Sequence, residues 1–258
     1  MSVKFSLENY TFEEVKKLDK NKTIIMFPIG PLEAHGPHLP LDVDIRGAEI
    51  TVELASKQLE EYGYSIVSLP VLPYCIADAA HSFEGTISIS ENTMLNLLRD
   101  IITSVVSHGF NNIVIFCHHL EPKNTDVLNI IEKEFNLSKE ANVLVSKAIE
   151  KSISCNKNIL DGEFPLLDMH AGEVETSLFL WKFPNRVKGN YSELTPKWIN
   201  LIKQFANGAN DFETAGANNC YLGDPAKASA EKGRILYEKQ AKILTEEVYY
   251  FMKSDEAI

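Results

Sequence analysis

With 258 residues the chain is long enough for one large core or two small ones. Lys and Arg number 25 against 36 Asp and Glu, a net charge of −11, which argues against a basic footprint for nucleic acid or an anionic membrane. No apolar run reaches membrane-span length. The four cysteines, Cys75, Cys117, Cys155 and Cys220, form no CxxC pair and no disulfide-scaffold density. MSVKFSLENY lacks the apolar core of a secretory signal. A reducing cytoplasm is the expected compartment.

Thr11 and Glu14 form a capping-box pattern, so a short helix through Val15 and Leu18 is expected. Thr23 to Ile29 is apolar and short, the pattern of a buried strand, and Gly30-Pro31 ends it. A loop stiffened by Pro31, Pro37 and Pro40 follows. It carries Glu33 and His35, two apart, which extended backbone turns to one side. Ile45, Ala48, Val52, Ala55, Leu59 and Tyr62 recur at helical spacing up to Gly63. Asp44 opens that helix, as a plain N-cap or as a metal ligand. Ser65 to Leu69 reads as a second strand and Thr86 to Ser90 as a further short one. Met94, Leu98, Ile101, Ile102 and Val105 mark an amphipathic helix closed by Gly109. Asn112 to Cys117 is a buried strand, Asn124 to Phe135 a helix and Asn142 to Val145 a strand. Leu180 to Pro225 has a weak pattern, suited to a lid, rim or subunit contact, and Ala228 to Met252 is a terminal helix. The alternation predicts an α/β fold, a three-layer sandwich with a mainly parallel central sheet. No repeat or linker interrupts residues 1–258, so one domain is expected.

Strand Asn112 to Cys117 runs into His118-His119-Leu120-Glu121, where His119 and Glu121 mirror the Glu33/His35 spacing. Ligands in open α/β sheets bind beyond the carboxyl ends of strands. If the two strands are parallel neighbours, both clusters emerge at one edge. Glu33, His35, Asp44, His119 and Glu121 suit zinc, manganese or iron better than calcium, because imidazole is present and thiolate absent. Three carboxylates and two imidazoles hold two metals if one carboxylate bridges, and Asp44 is the choice for the bridge. A third cluster contains Asp168 and His170, where histidine serves structure as readily as catalysis. Glu173 begins the helix that follows. His81 and His108 read as structural, His38 and His118 as supporting groups, and Cys117 as a core residue.

Glu33-Ala34-His35-Gly36-Pro37-His38-Leu39-Pro40 with Asp44, and His170-Ala171-Gly172-Glu173-x-Glu175-Thr176-Ser177, resemble two signatures of the creatininase (creatinine amidohydrolase) family. Gly85-Thr86 and Gly223-Asp224-Pro225 with Gly233 add to the resemblance. It implies a creatininase-like fold, a homo-oligomer with a hexamer among the sizes considered, and two divalent ions, zinc or manganese with iron as a further option. It implies ligands at Glu33, His35, Asp44, His119 and Glu121, Asp44 bridging. His170 matches a histidine that passes a proton, and Glu121 is a second candidate for proton transfer. Asp168 is expected to fix the His170 tautomer, and Glu175 to stand behind the ligands. The implied reaction is hydrolysis of a small non-peptide amide, cyclic or linear, by a metal-bridging hydroxide.

The middle signature, Asn-Gly-His-Gly-Gly-Asn in most members, is here Cys117-His118-His119-Leu120-Glu121-Pro122, which keeps His-x-Glu. Leu120 and Leu166-Leu167-Asp168-Met169 replace residues that shape the creatinine pocket, so retained metal chemistry and creatinine as substrate are separate questions. The alternatives are a formamide hydrolase acting on a nucleotide-derived pyrimidine and a non-catalytic, metal-stabilised binding protein. An aromatic slot opposite the ligands would favour creatinine; a phosphate-sized basic pocket would favour the formamide.

Overall fold

The computed structural model describes residues 5–255. The sequence reading of the first ten positions as lacking a leader core therefore falls partly outside them. Four parallel strands, β1 (Thr23–Ile29), β2 (Ser65–Ser68), β3 (Asn112–Cys117) and β4 (Asn142–Val145), form a sheet in the order β2-β1-β3-β4. β1 and β3 are direct neighbours, with Ile24 opposite Asn112 and Ile29 opposite Cys117. Strand order reverses at β1, so the crevice beyond Ile29 and Cys117 is the natural ligand position.

Eight helices complete the described chain: α1 (Phe12–Lys17), α2 (Val43–Glu61), α3 (Glu91–Ser107), α4 (Pro122–Ser138), α5 (Ala148–Asn156), α6 (Glu173–Lys182), α7 (Leu201–Ala206) and α8 (Ala230–Asp255). Parallel strands are covered on both faces, which is why β1 and β3 are apolar runs without alternation. Ile25, Phe27, Ile113 and Ile115 pack under Met94, Leu98 and Ile102 of α3 and Val127, Leu128 and Ile131 of α4. Ile24, Met26, Val114 and Phe116 face Ala48, Val52 and Leu59 of α2 and Leu244 and Val248 of α8. Each fully buried Leu or Ile here stabilises the fold by about 2 kcal/mol. The result is a three-layer α/β sandwich.

The capping box at Thr11 is present in full, and α2 and α3 are followed by Gly63 (φ +86°) and Gly109 (φ +87°), as the sequence predicts. Three expectations change. Thr86 to Ser90 is not a strand: isolated backbone bonds such as Ile87 N–H to Leu32 and Ile89 N–H to Cys75 tie it down without forming a ladder. Its polar side chain bonds to a neighbouring loop instead, Ser88 Oγ accepting the Ala77 N–H at 3.0 Å and donating to Asp78 at 2.6 Å. Asp44 is not the N-cap of α2; Asp42 holds that position, and its side chain pairs with Arg46 and Arg186 instead. Asp44 lies in the first turn with its carboxylate free to turn inward. The weakly patterned 180–225 stretch contains α7 and packs Leu201, Phe212 and Cys220 against Ala34 and Ala79, beside the strand ends.

Candidate active site

The end of β1 meets the start of α2 at Gly30, where a Cβ would lie 2.5 Å from the Asp44 carbonyl carbon. This close approach sets Asp44 directly over the strand end. β3 delivers His118, whose backbone N–H continues the ladder to the Ile29 carbonyl at 2.8 Å, and His119 and Glu121 follow. α6 delivers Glu175 from its first turn, and the bridge between His170 and Leu222 fixes His170 beside it.

These groups converge. His119 Nδ1 lies 3.0 Å from Glu33 Oε2 and 3.7 Å from Asp44 Oδ2. His35 Nε2 lies 3.6 Å from Asp44 Oδ2 and 3.7 Å from Glu175 Oε2. Glu33 is 0 % exposed, and both its carboxylate oxygens, His35 Nε2 and Asp44 Oδ2 make no hydrogen bond despite being buried. Buried polar atoms are normally paired, and leaving one unpaired costs about 1–3 kcal/mol, more for a charge. Four such atoms aimed at one another are what ligands of a cation look like when the cation is left out of account.

Neighbouring groups aim the lone pairs. The His35 Nδ1–H donates to the Glu33 carbonyl at 2.9 Å, which leaves Nε2 with its lone pair toward Asp44 and Glu175. Tyr237 O–H donates to His118 Nε2 at 3.1 Å, and His118 Nδ1–H donates to Asp44 Oδ1 at 3.1 Å. Only glycine fits at position 47, because a Cβ would stand 2.4 Å from the His118 ring. The Glu175 carboxylate accepts the N–H of Ala171, whose φ of +48° is the strained conformation that points that N–H inward.

The electrostatics follow from burial and crowding. Burial opposes charge on His119, but Glu33, Glu121 and Asp44 outweigh it and hold its pKa well above the ordinary value. Burial also opposes charge on Glu33, yet His119 and His35 keep its carboxyl below the ordinary range. His170 goes the other way, to about 3, through burial and then the neighbouring His35 charge.

Three sets of donor atoms have the mutual spacing of a metal site: Glu33, Asp44 and His119; His35, Asp44 and Glu175; and Glu33, His35 and His170. Asp44 belongs to the first two. Two positions differ from the sequence expectation. Glu121 lies outside these sets: its Oε2 sits 3.5 Å from the far ring nitrogen of His119 and accepts the Ala79 N–H at 3.3 Å. Glu175, expected behind the ligands, offers a donor atom to one of these sets. A third difference concerns Asp168. Its carboxylate accepts the N–H groups of Glu173 (2.6 Å), Val174 (3.1 Å) and Asp224 (3.3 Å), so it fastens the start of α6. Burial pushes its pKa up to about 7, with those three bonds opposing. The His170 tautomer is set by Nε2–H donating to the Ala34 carbonyl at 2.8 Å.

Beside the cluster opens a cleft of about 150 Å³, lined by His119, Glu121, His170 and Glu175 together with residues of α5 and α7 and Phe212. No lysine or arginine lines it among the described residues. No described helix is long and apolar enough to cross a membrane.

A family model described as creatinine amidohydrolase matches residues 8–248. The mycofactocin precursor peptide peptidase of Mycolicibacterium smegmatis is 26% identical over 232 residues, 86% of this chain and 83% of that protein. A manganese creatininase superposes with a TM-score of 0.74 at 19% identity, covering 95% of this chain and 97% of that one. A mutant creatininase of Zn–Zn type gives 0.73 at 19% identity, covering 95% and 96%. The chain belongs to the creatininase family of amidohydrolases.

Proposed function

We propose that the chain hydrolyses the C–N bond of a small, uncharged, non-peptide amide with two divalent ions, zinc or manganese. The observation that carries this is the convergence of unpaired Glu33, His35 and Asp44 atoms into two ligand sets that share Asp44. One ion would be held by Glu33, Asp44 and His119, the other by His35, Asp44 and Glu175. The donor set fits: three carboxylates and two imidazoles suit a borderline cation. Divalent ions bound there would bring the pKa of a coordinated water to about 7 and polarise the substrate carbonyl.

The residues supply the rest. Glu121 sits on the cleft wall and on the far nitrogen of His119, placed to accept the proton of the attacking water and to hold that ring. His170 keeps its Nε2–H on Ala34 and turns Nδ1 toward Glu33 Oε1 at 4.0 Å. A proton received at Nδ1 is held weakly there, so it passes readily to the departing nitrogen. In the balance a C–O bond forms, the C–N bond breaks and the water proton leaves on nitrogen. Residues 1–258 act as one domain in this reading, in the cytoplasm and as a homo-oligomer.

A nucleotide-derived formamide is disfavoured by the absence of cations in the described cleft lining, since phosphate recognition relies on Arg or Lys. The peptidase among the relatives puts short peptides on the test panel. Protein loaded with zinc or manganese is assayed against creatinine, linear carboxamides, a formamide and dipeptides, with metal content measured in parallel. Hydrolysis abolished by chelator and restored by metal is the expected result. Stoichiometric metal binding with no turnover on any amide would instead mark a metal-stabilised binding protein.

A further inference from the structure

The cleft is lined by both polar and apolar side chains. Along α5 and α8, Ser152 donates to the Ile149 carbonyl at 2.7 Å, and Gln240 donates to Thr51 at 2.9 Å. Asn156, one turn beyond Ser152 on the same face of α5, differs. It is only 5 % exposed, it lines the cleft, and its Oδ1 has no hydrogen-bond partner. Buried amides are nearly always satisfied, so one left open beside a cavity waits for a ligand donor. The same cleft is lined by Phe205, Phe212, Leu201 and Met169. On either side of the lining residue Pro165, Phe164 (46 % exposed) and Leu166 (55 %) are exposed apolar side chains.

Resting on the amidohydrolase reading, we infer that Asn156 is a specificity-determining residue that grips an N–H of the substrate while Phe205 and its neighbours hold a bulky apolar group. The substrate class is then an uncharged carboxamide with an aromatic or branched aliphatic side group. Pockets of this kind, mostly apolar with a few placed polar groups, fix a ligand's orientation by the polar ones. A phosphate or free carboxylate carried on the apolar side group, away from the ligand sets, would lose its water without gaining a Lys or Arg in the described lining.

N-acetyl-phenylalaninamide serves as the probe, with its phosphotyrosine counterpart as the charged control. Calorimetric binding and hydrolysis are measured on the zinc-loaded wild type, on Asn156→Leu and on Phe205→Ala. The apolar near-isostere at 156 removes an unpaired buried amide, so its melting temperature is expected to equal or exceed that of the wild type. Its affinity for the probe is expected to fall at least tenfold. Phe205→Ala is expected to weaken the aromatic probe at least fivefold while leaving N-acetyl-glycinamide unchanged. The phosphorylated control is expected to bind at least tenfold more weakly than the probe. Unchanged probe affinity in Asn156→Leu, or a lowered melting temperature without an affinity change, overturns the inference and makes Asn156 structural. Hydrolysis of the probe without dependence on Asn156 would leave the amidohydrolase reading standing and this one fallen. Asn156-dependent binding without hydrolysis of any amide would do the reverse.

Discussion

Glu33 is a carboxylate that the fold buries completely. Its charge is met by His119 Nδ1 at 3.0 Å, yet neither oxygen has a hydrogen bond of good geometry, and removing its facing charge would cost several kcal/mol. Glu175 is the sharper test, because the sequence reading kept it behind the ligands while its carboxylate lies within reach of His35 and Asp44. Glu175→Gln is expected to reduce bound metal from two ions per chain toward one by elemental analysis, and His119→Ala to remove the other; full metal content in both variants would refute the ligand sets. His38 belongs to the same scale. Its Nε2 pairs with Thr176 at 2.8 Å, and burial, then the His35 charge, pulls its pKa down to about 4 from 6.5. A histidine depressed in the folded state gives stability that is present above pH 6.5 and lost as the pH falls toward 4. Melting temperatures recorded across that window are expected to drop for the wild type and to drop less for His38→Asn. An identical profile for both proteins would assign the acid sensitivity elsewhere.

At the scale of elements, the convergence of Glu33, His35 and His119 was legible because each follows a readable strand, whereas the two-residue spacing that also pointed to Glu121 leaves it on the far nitrogen of His119. Glu175 was not, because its place depends on where α6 starts, and that start is fixed by Asp168 from outside the helix. Asp168 itself looked like a partner for the adjacent His170; three backbone N–H groups claim it instead. The α5 helix gave no expectation at all: its nine residues are short, and their apolar face is completed only by α8. Thr86 to Ser90 shows the converse, a strand pattern whose Ser88 bonds to the Ala77–Asp78 loop while the segment joins no ladder. Ser90 caps α3 by accepting the Thr93 N–H at 3.2 Å. Ser90→Ala is expected to lower stability by about 1 kcal/mol in urea titration while leaving metal content unaltered. Gly47→Ala is expected to do more: its methyl would strike the His118 ring, costing about 1–3 kcal/mol and reducing metal occupancy through Asp44. Equal metal content in Gly47→Ala would show that His118 can yield without disturbing Asp44.

At the scale of the whole molecule, the three-layer arrangement could be read from alternation of strands and helices, and the neighbouring of β1 and β3 could be posed but not decided. Strand order is a long-range property that no local pattern encodes. If the cations bind only the folded chain, loading to a hundredfold excess over the dissociation constant is expected to add about 2.7 kcal/mol of stability. A chelator should therefore lower the melting temperature of the wild type and leave that of a doubly ligand-deficient variant unchanged.

The sheet order β2-β1-β3-β4 carries a consequence for biogenesis. β1 is made early but must wait for β3, and the last donor, Glu175, lies further on still. Pairings between distant segments close late, since each demands that a long loop surrender its freedom first. A ribosome-bound intermediate halted before residue 175 thus carries Glu33, Asp44 and His119 but lacks Glu175, so the two ligand sets are completed at different stages of synthesis.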